Sequence, residues 1–166
     1  MAMLVTQGGI LSLLQDAGRI GKHRIGLTTG GPMDPQAFAW CNRLLQNEAN
    51  ATAIEVSFGG LQLEVQIDTY ICVTGAPVPL TINKEERELW CVHRVCAGDT
   101  IALGFSTSGV RTYLGIADGF QLDPSFGSTA TVMREHLGGL NGEKLTAGDK
   151  LPCNVPTQRR LLYLAR

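Results

Sequence analysis

The chain has 166 residues, of which 44% are hydrophobic and only 17% are charged, and its formal net charge is -1. This composition excludes a disordered chain and is sufficient for one hydrophobic core, so we expect a single domain over residues 1–166. A net charge so close to zero argues against binding to nucleic acid or to an anionic membrane. No apolar run approaches the roughly 20 residues of a membrane helix, and the first residues, MAMLVTQGG, show no secretory signal.

The first distinctive element is a glycine-rich segment over residues 15–34, QDAGRIGKHRIGLTTGGPMD. Glycine permits positive φ and lets the backbone approach a ligand closely. Because charged residues alternate with the glycines, we interpret the segment as a recognition surface that ends in the turn Gly30-Gly31. Asp16 and Arg19 are three residues apart, so they either form a surface ion pair or bind a polar ligand from one turn.

A helix is predicted directly after this segment, over about residues 35–46. Asp34 is a favourable N-cap, Pro35 suits the first helical position, and an apolar stripe follows at helical spacing. The stripe consists of Ala37, Cys41, Leu44 and Leu45. Asp34 has two compatible roles, as the cap of the helix and as a group that acts on a ligand. The second role is expected because free N–H donors at a helix start, beside a glycine turn, can hold a ureido, amide or carboxylate group next to the Asp34 carboxylate.

Seven short strands are predicted after the helix. The clearest, residues 61–67, alternates LQLEVQI, so Leu61, Leu63, Val65 and Ile67 should face one core. The other six are apolar runs between turns, at residues 53–58, 70–74, 78–82, 88–92, 100–105 and 111–116. Such regular spacing favours a barrel or a sandwich, and we expect a mainly β protein, an antiparallel barrel closed or plugged by the helix.

Two charged residues lie within these strands. Glu55 interrupts an apolar run, so in a barrel it faces either solvent or a polar interior, where a buried carboxylate needs a partner. Arg111 shares a strand face with Tyr113, and its guanidinium either binds a carboxylate at two points or extends along the barrel wall from an edge strand. We select Glu55 and Asp34 as candidate catalytic residues and Arg111 as a candidate substrate-binding residue. We also expect Gly31, Asp34 and Glu55 to line one polar cavity near the helix start.

The cysteines predict a reducing compartment. There are five of them, an odd number scattered through apolar segments, so we expect reduced and mostly buried thiols in the cytoplasm. Cys91, His93 and Cys96 are residue types that bind metal ions. A closed zinc site needs four ligands, however, and no second cluster exists, so no metal is expected.

Five further stretches, together with the glycine-rich segment, resemble one family. These stretches are NRLLQN (42–47), AIEVSFGG (53–60), VTGA (73–76), GVRTYLGIADGF (109–120) and GGLNGEKLTAGDKL (138–151), with GGPMD at 30–34 inside the segment itself. The family is allophanate hydrolase subunit 2, also called the biotin-dependent carboxyltransferase or KipA family, whose bacterial members include the C subunit of 5-oxoprolinase. The resemblance runs in order along almost the whole chain.

The resemblance implies a cyclophilin-like β-barrel that corresponds to the family's first half. Members are roughly twice as long and carry second-half motifs similar to SEGV, GAIQVP and TTGGYP, which do not occur here. We expect either a shortened form or a second half on another chain. At residues 30–34 the family has a motif similar to S-G-A-M-D, which adds Met33 to the candidate substrate-binding set of Asp16, Arg19, Gly30, Gly31 and Arg111. Here Gly30 replaces the serine and Pro32 removes an N–H donor.

Two classes of function follow from the resemblance. In the first, the chain is part of an enzyme that acts on a small amide, either as the C subunit of an ATP-dependent 5-oxoprolinase or as the carboxyltransferase component of a urea carboxylase. ATP would then bind a partner subunit, or carboxybiotin would be the cofactor, and the partner would be a protein of the allophanate hydrolase subunit 1 family, similar to the B subunit of 5-oxoprolinase. A carboxylate would move protons, and N–H donors of the Gly30-Gly31 turn would hold an oxyanion. In the second class, the chain is a non-catalytic module similar to KipA that sequesters another protein. Self-association is expected if an apolar surface is left uncovered.

Overall fold

The strands form two antiparallel sheets, as seen in a computed structural model that describes residues 2–157 and 163–164. In chain order they are β1 (Ala2–Gly8), β2 (Leu11–Gln15), β3 (Ala53–Ser57), β4 (Leu61–Val65), β5 (Thr69–Gly75), β6 (Leu80–Ile82), β7 (Glu85–Arg87), β8 (Val92–Val95), β9 (Thr100–Leu103), β10 (Arg111–Ile116) and β11 (Lys150–Pro152). The six-stranded sheet has the order β11-β1-β4-β9-β6-β7, and the five-stranded sheet has the order β2-β3-β10-β5-β8.

The mainly β class is confirmed, but the strands do not close into one barrel within the described residues. The chain crosses between the sheets at glycine-containing corners, where isolated bridges such as that between Gly59 and Phe105 replace continuous ladders. Each sheet therefore keeps its own edge strands, and the two sheets pack face to face as in a sandwich.

The main core fills the space between the sheets. Strand β4 and the residues after it show why: Leu61, Leu63, Val65 and Ile67 are at most 4% exposed and belong to one apolar cluster, whereas Gln62 is exposed. The predicted alternation over residues 61–67 is thus confirmed, with β1 and β9 as the neighbours of β4.

Helix α1 (Pro35–Leu44) covers the outer face of the five-stranded sheet. Its apolar stripe packs on β5 and β10, and the ring of Phe38 meets that of Tyr113 edge to face at 6.0 Å. Gly115 permits this close packing, because a Cβ there would lie 2.7 Å from Cys41 Sγ. The five-stranded sheet is consequently buried on both faces, which makes β3 buried at every position.

Some predicted boundaries were wrong. No strand runs over residues 88–92; a turn lies there, with Trp90 at a φ of 61°, and β7 and β8 flank it. Strands β1, β2, β7 and β11 were not predicted at all, and the helix ends at Leu44 instead of at about residue 46. Asn83 and Lys84 form the two-residue turn between β6 and β7, with both residues at positive φ as a hairpin of this twist requires. Across the described residues, the helices are all too short or too polar to span a bilayer.

Candidate functional site

Glu55 is the buried carboxylate around which the candidate site is organised. It points from β3 away from the main core, towards the start of helix α1, and is 3% exposed. Its Oε2 accepts hydrogen bonds from the Tyr113 hydroxyl at 2.6 Å and from the Met33 N–H at 2.8 Å. The prediction that the Glu55 side chain faces solvent is therefore wrong. It faces a polar interior, as the alternative predicted, and this interior lies between the five-stranded sheet and the start of helix α1.

Tyr113 connects this carboxylate to the helix. Its hydroxyl donates to Glu55 and accepts the Asp34 N–H at 2.8 Å, so one oxygen bridges a strand and a helix terminus. Burial, together with the hydrogen bond to Glu55, raises the pKa of Tyr113 well above its ordinary value. The hydroxyl thus stays protonated and acts as a permanent donor. Tyr113 was not among the predicted site residues, because its position directly opposite Glu55 in the ladder of β10 and β3 depends on strand register.

Arg111 lies on the other side of the Glu55 carboxylate. Its Nε is 3.5 Å from Glu55 Oε1, an ion-pair contact, and its Nη1 donates to Ser57 Oγ at 2.8 Å. The Arg111 side chain is 27% exposed, against 4% for that of Glu55. Because β10 is the central strand of the five-stranded sheet, the predicted alternative of an edge-strand arginine is wrong. Arg111 is the member of this group that solvent, and hence a ligand, can reach.

Asp34 is the N-cap of helix α1, as predicted. Its Oδ1 accepts the Ala37 N–H at 3.0 Å, and Pro35 occupies the first turn. Asp34 is half-buried and is joined to Glu55 through the Tyr113 hydroxyl. The backbone N–H of Asp34 and the carboxylate of Glu55 therefore share one hydroxyl, and a catalytic role for either residue stays a prediction.

The glycine turn before the helix approaches the chain's own backbone closely. Gly30 and Gly31 have φ values of 65° and 90°, and a Cβ at Gly31 would lie 2.9 Å from the Ala17 carbonyl oxygen. The Gly31 N–H donates to Gln15 Oε1 at 3.0 Å. Much of the glycine content thus serves backbone packing. The side chain of Met33 is 70% exposed beside Glu55, so a ligand could contact it.

Asp16 and Arg19 do not form a surface ion pair, because they are only 3% and 1% exposed. Asp16 accepts the Ser128 hydroxyl at 2.5 Å and the Thr129 N–H at 2.8 Å. Arg19 donates to three backbone carbonyls at 2.6–3.2 Å, those of Ser125, Ser128 and Ala130. We call these contacts the Asp16–Arg19 anchor, since they fasten residues 125–130 to the glycine-rich segment. Substrate binding by either residue stays a prediction.

One nitrogen of Arg19, Nη1, is buried without a hydrogen-bond partner among the described residues. A Cβ at Gly30 would lie 3.6 Å from it. The Gly30 position therefore lies next to a buried donor that no described group accepts.

The geometry suits proton transfer near a polar ligand. Two donors hold Glu55 Oε2, which leaves Oε1 on the side of the accessible Arg111.

No three His, Cys, Asp or Glu side chains come together to hold a metal ion in the described ranges. A cavity of about 530 Å³ lies between residues 121–125 and 136–142, and neither Asp34 nor Glu55 lines it. The predicted shared cavity at Gly31, Asp34 and Glu55 therefore stays a prediction.

Comparison with known proteins identifies relatives of two kinds. The family model described as carboxyltransferase domain, subdomain A and B, matches residues 25–163. Urea amidolyase of Saccharomyces cerevisiae is 36% identical over 151 residues, which are 90% of this chain and 8% of the yeast protein. The 5-oxoprolinase C subunit of Escherichia coli is 33% identical over 150 residues, 89% of this chain and 48% of that protein.

Solved structures show the same fold. The urea amidolyase of Kluyveromyces lactis superposes with a TM-score of 0.91 at 35% identity, covering 93% of this chain and 9% of that one. The protein TTHA0988 superposes with a TM-score of 0.86 at 28% identity, covering 95% of this chain and 59% of that one. This chain thus spans about half the length of the 5-oxoprolinase relative and less than a tenth of the amidolyases.

Proposed function

This chain belongs to the carboxyltransferase domain family, subdomains A and B, and we propose that it forms the amide-binding half of the C subunit of an ATP-dependent 5-oxoprolinase. The observation that supports an amide-processing role is the Glu55 carboxylate, buried and held by the Tyr113 hydroxyl and the Met33 N–H, with Arg111 accessible beside it. A buried carboxylate held by fixed donors beside an accessible cation is typical of acid–base sites.

In this proposal, Glu55 moves the proton of the substrate's amide nitrogen. Its Oε1 accepts the N–H of a lactam or ureido group, while Oε2 keeps the carboxylate in position through its two donors. Arg111 stabilises the oxyanion that develops on the carbonyl, since its guanidinium lies next to Oε1. The Gly31 N–H does not serve as this donor in the observed conformation, because Gln15 accepts it. Asp34 orders the helix start and offers its second oxygen to the substrate.

The cofactor and the partner follow from the same proposal. ATP binds a partner subunit. The complete enzyme also contains a protein of the allophanate hydrolase subunit 1 family and the second half of the carboxyltransferase domain. The cysteines are all free thiols, in keeping with the cytoplasmic location expected from the sequence.

A second candidate is the carboxyltransferase component of a urea carboxylase. The observation in its favour is the likeness to the urea carboxylase of Kluyveromyces lactis, which superposes with a TM-score of 0.91 at 35% identity over 93% of this chain. Carboxybiotin would then be the cofactor, delivered by another domain, and the same Glu55 and Arg111 would hold urea.

Two chimeras distinguish these candidates. Residues 2–157 of this chain replace the matched region in the E. coli 5-oxoprolinase C subunit and, separately, in the yeast urea amidolyase. We expect 5-oxoproline-dependent ATP hydrolysis from the first chimera, with its partner subunits present, and a loss of about 100-fold or more on Glu55→Gln. Activity of the second chimera alone would overturn the leading proposal in favour of the second candidate. If neither is active and the chain binds no small amide, the KipA-like module remains.

The 166-residue chain assayed alone should have no 5-oxoprolinase or carboxyltransferase activity, since it matches only 48% of the E. coli 5-oxoprolinase relative. Turnover is measured with and without a homologue of the 5-oxoprolinase B subunit. Robust turnover by the lone chain would show that the matched half contains a complete catalytic site.

A further inference from the structure

Four connections between the two sheets meet at one end of the molecule. They join β1 to β2, β3 to β4, β5 to β6 and β9 to β10. Backbone hydrogen bonds link them to one another: Ile10 N–H to Gly59 O at 3.4 Å, Phe58 N–H to Val110 O at 2.8 Å, and Gly104 N–H to Pro79 O at 2.7 Å. We call residues 8–10, 58–60, 76–79 and 104–110 the corner end.

The corner end exposes large apolar side chains. Ile10, Phe58, Phe105 and Val110 are 55%, 48%, 59% and 38% exposed. Their backbones are adjacent: the Phe58 N–H donates to Val110 O at 2.8 Å, and the Ser106 N–H donates to Phe58 O at 2.8 Å. A Cβ at Gly60 would also lie 3.2 Å both from the ring of Phe105 and from the Cα of Gly9, the residue before Ile10. The ring of Phe105 therefore lies over the backbone that carries Ile10. We call these four residues the apolar corner patch.

The backbone under the patch is strained and rigid. Phe58 has a φ of 64°, in the left-handed region that a bulky residue adopts only at a cost of about 1–2 kcal/mol. Its N–H and its carbonyl are both bonded, to Val110 and to Ser106 at 2.8 Å. The fold therefore holds an aromatic side chain outward in a conformation that glycine or asparagine would adopt more easily. A preorganised apolar surface of this kind is typical of a protein-binding site.

We propose that the apolar corner patch binds the second half of the carboxyltransferase domain, the part of the 5-oxoprolinase relatives that this chain does not match. The chain covers 48% and 45% of two such relatives, so a body of about its own size accompanies the equivalent region in them. The four connections contain no charged residue, although 17% of the chain is charged, which favours an apolar protein surface as the occupant.

Docking at this patch would also affect the candidate site. Val110 directly precedes Arg111, the accessible residue beside Glu55. A body that covers the corner end would therefore border the open side of the Glu55 carboxylate and reduce its contact with water. The docking itself does not depend on which amide, if any, is the substrate, and it is measured without turnover.

The test uses the unmatched second half of the E. coli 5-oxoprolinase C subunit as the probe, with binding to the purified chain measured by calorimetry. The variants are Phe58→Asn, because asparagine tolerates the left-handed backbone, and Phe105→Ser. Each should weaken binding by about tenfold or more, as removal of a central aromatic does. Phe126→Ser is the control, since Phe126 is 54% exposed on another loop. Circular dichroism and the melting temperature establish that each variant folds.

The outcomes are distinct. Wild-type binding that is lost in Phe58→Asn and Phe105→Ser, but kept in Phe126→Ser, supports the proposal. No binding by the folded wild-type chain, or equal binding by all variants, overturns it. Self-association that depends on the two phenylalanines and excludes the probe also overturns it, and identifies a second copy of the chain as the occupant.

Discussion

Replacing Tyr113 with phenylalanine should reveal how strongly the candidate site is tied to the fold. The substitution removes only the hydroxyl, which donates to Glu55 at 2.6 Å and accepts the Asp34 N–H at 2.8 Å. The ring and its edge-to-face contact with Phe38 remain, so no large cavity forms. Any change in stability therefore reports on two hydrogen bonds.

The expected magnitude follows from those two bonds. A hydrogen bond to a charged group contributes about 1.5–3 kcal/mol, and a buried N–H left without an acceptor costs about 1–3 kcal/mol. Because the Asp34 N–H is at a half-buried helix start where water can partly replace the hydroxyl, we expect Tyr113→Phe to lower the free energy of unfolding by about 2–4 kcal/mol.

The assay is urea unfolding at pH 7, followed by circular dichroism, in a double-mutant cycle with Glu55→Ala, because the amide oxygen of a glutamine could still accept the Tyr113 hydroxyl. Because both residues share one hydrogen bond, their losses should be non-additive by about 1–2 kcal/mol. Tyr163→Phe, at an exposed tyrosine, is the matched control and should be nearly silent. A loss below about 0.5 kcal/mol for Tyr113→Phe, or additive losses in the cycle, would refute the hydroxyl bridge.

The pH dependence gives a second measurement on the same pair of proteins. The pKa of Tyr113 is raised in the folded state, so the unfolded chain loses this proton first, at about pH 10. The contribution of Tyr113 to stability is then fully present below about pH 10 and decreases as pH rises further, by up to about 1.4 kcal/mol per pH unit. The stability difference between wild type and Tyr113→Phe should therefore shrink above about pH 10.

Three further substitutions test the packing. Leu63→Ala should cost about 2–5 kcal/mol in urea unfolding because Leu63 is 1% exposed, and Gln62→Ala should be nearly silent; equal losses would contradict the orientation of β4. Arg19→Lys should lower the melting temperature markedly, because lysine cannot reach three carbonyls at once, whereas the exposed Arg24→Lys should not. Gly115→Ala should cost about 1–3 kcal/mol in the same unfolding assay, since its Cβ would lie 2.7 Å from a helix sulfur; an unchanged stability would mean that the helix can shift.

Local patterns predicted the parts of the fold that depend on neighbouring residues. The N-cap Asp34 and Pro35 placed the helix start correctly, because both act within one helical turn. The alternation from Leu61 predicted a half-buried strand for the same reason. Strand β3 has no such local pattern. It is buried on both faces, because helix α1 covers the outer one, so its apolar run shows no alternation from which the direction of Glu55 could be deduced.

The contacts of the candidate site depend on strand register, which the sequence does not display. Tyr113 meets Glu55 because β10 pairs with β3 in one particular register, and a shift by one residue would move the tyrosine to the core face. The spacing of Asp16 and Arg19 suggested an ion pair or a shared ligand, yet Arg19 bonds backbone carbonyls over 100 residues away and Asp16 bonds the Ser128 hydroxyl and the Thr129 N–H. These groups come together only in the folded chain, so their contacts could not be predicted from local sequence.

The Asp16–Arg19 anchor also determines when the N-terminal region can take up its final form. Its partners lie 106 to 113 residues further along the chain. At a synthesis rate of about 5–20 residues per second, the ribosome needs roughly 5–20 s to produce them after Arg19 has been made. During that time Asp16 and Arg19 lack these partners, so the contacts that fasten residues 125–130 to the glycine-rich segment cannot form. Slow translation between residues 20 and 130 would therefore prolong the period in which chaperones and proteases can reach that segment.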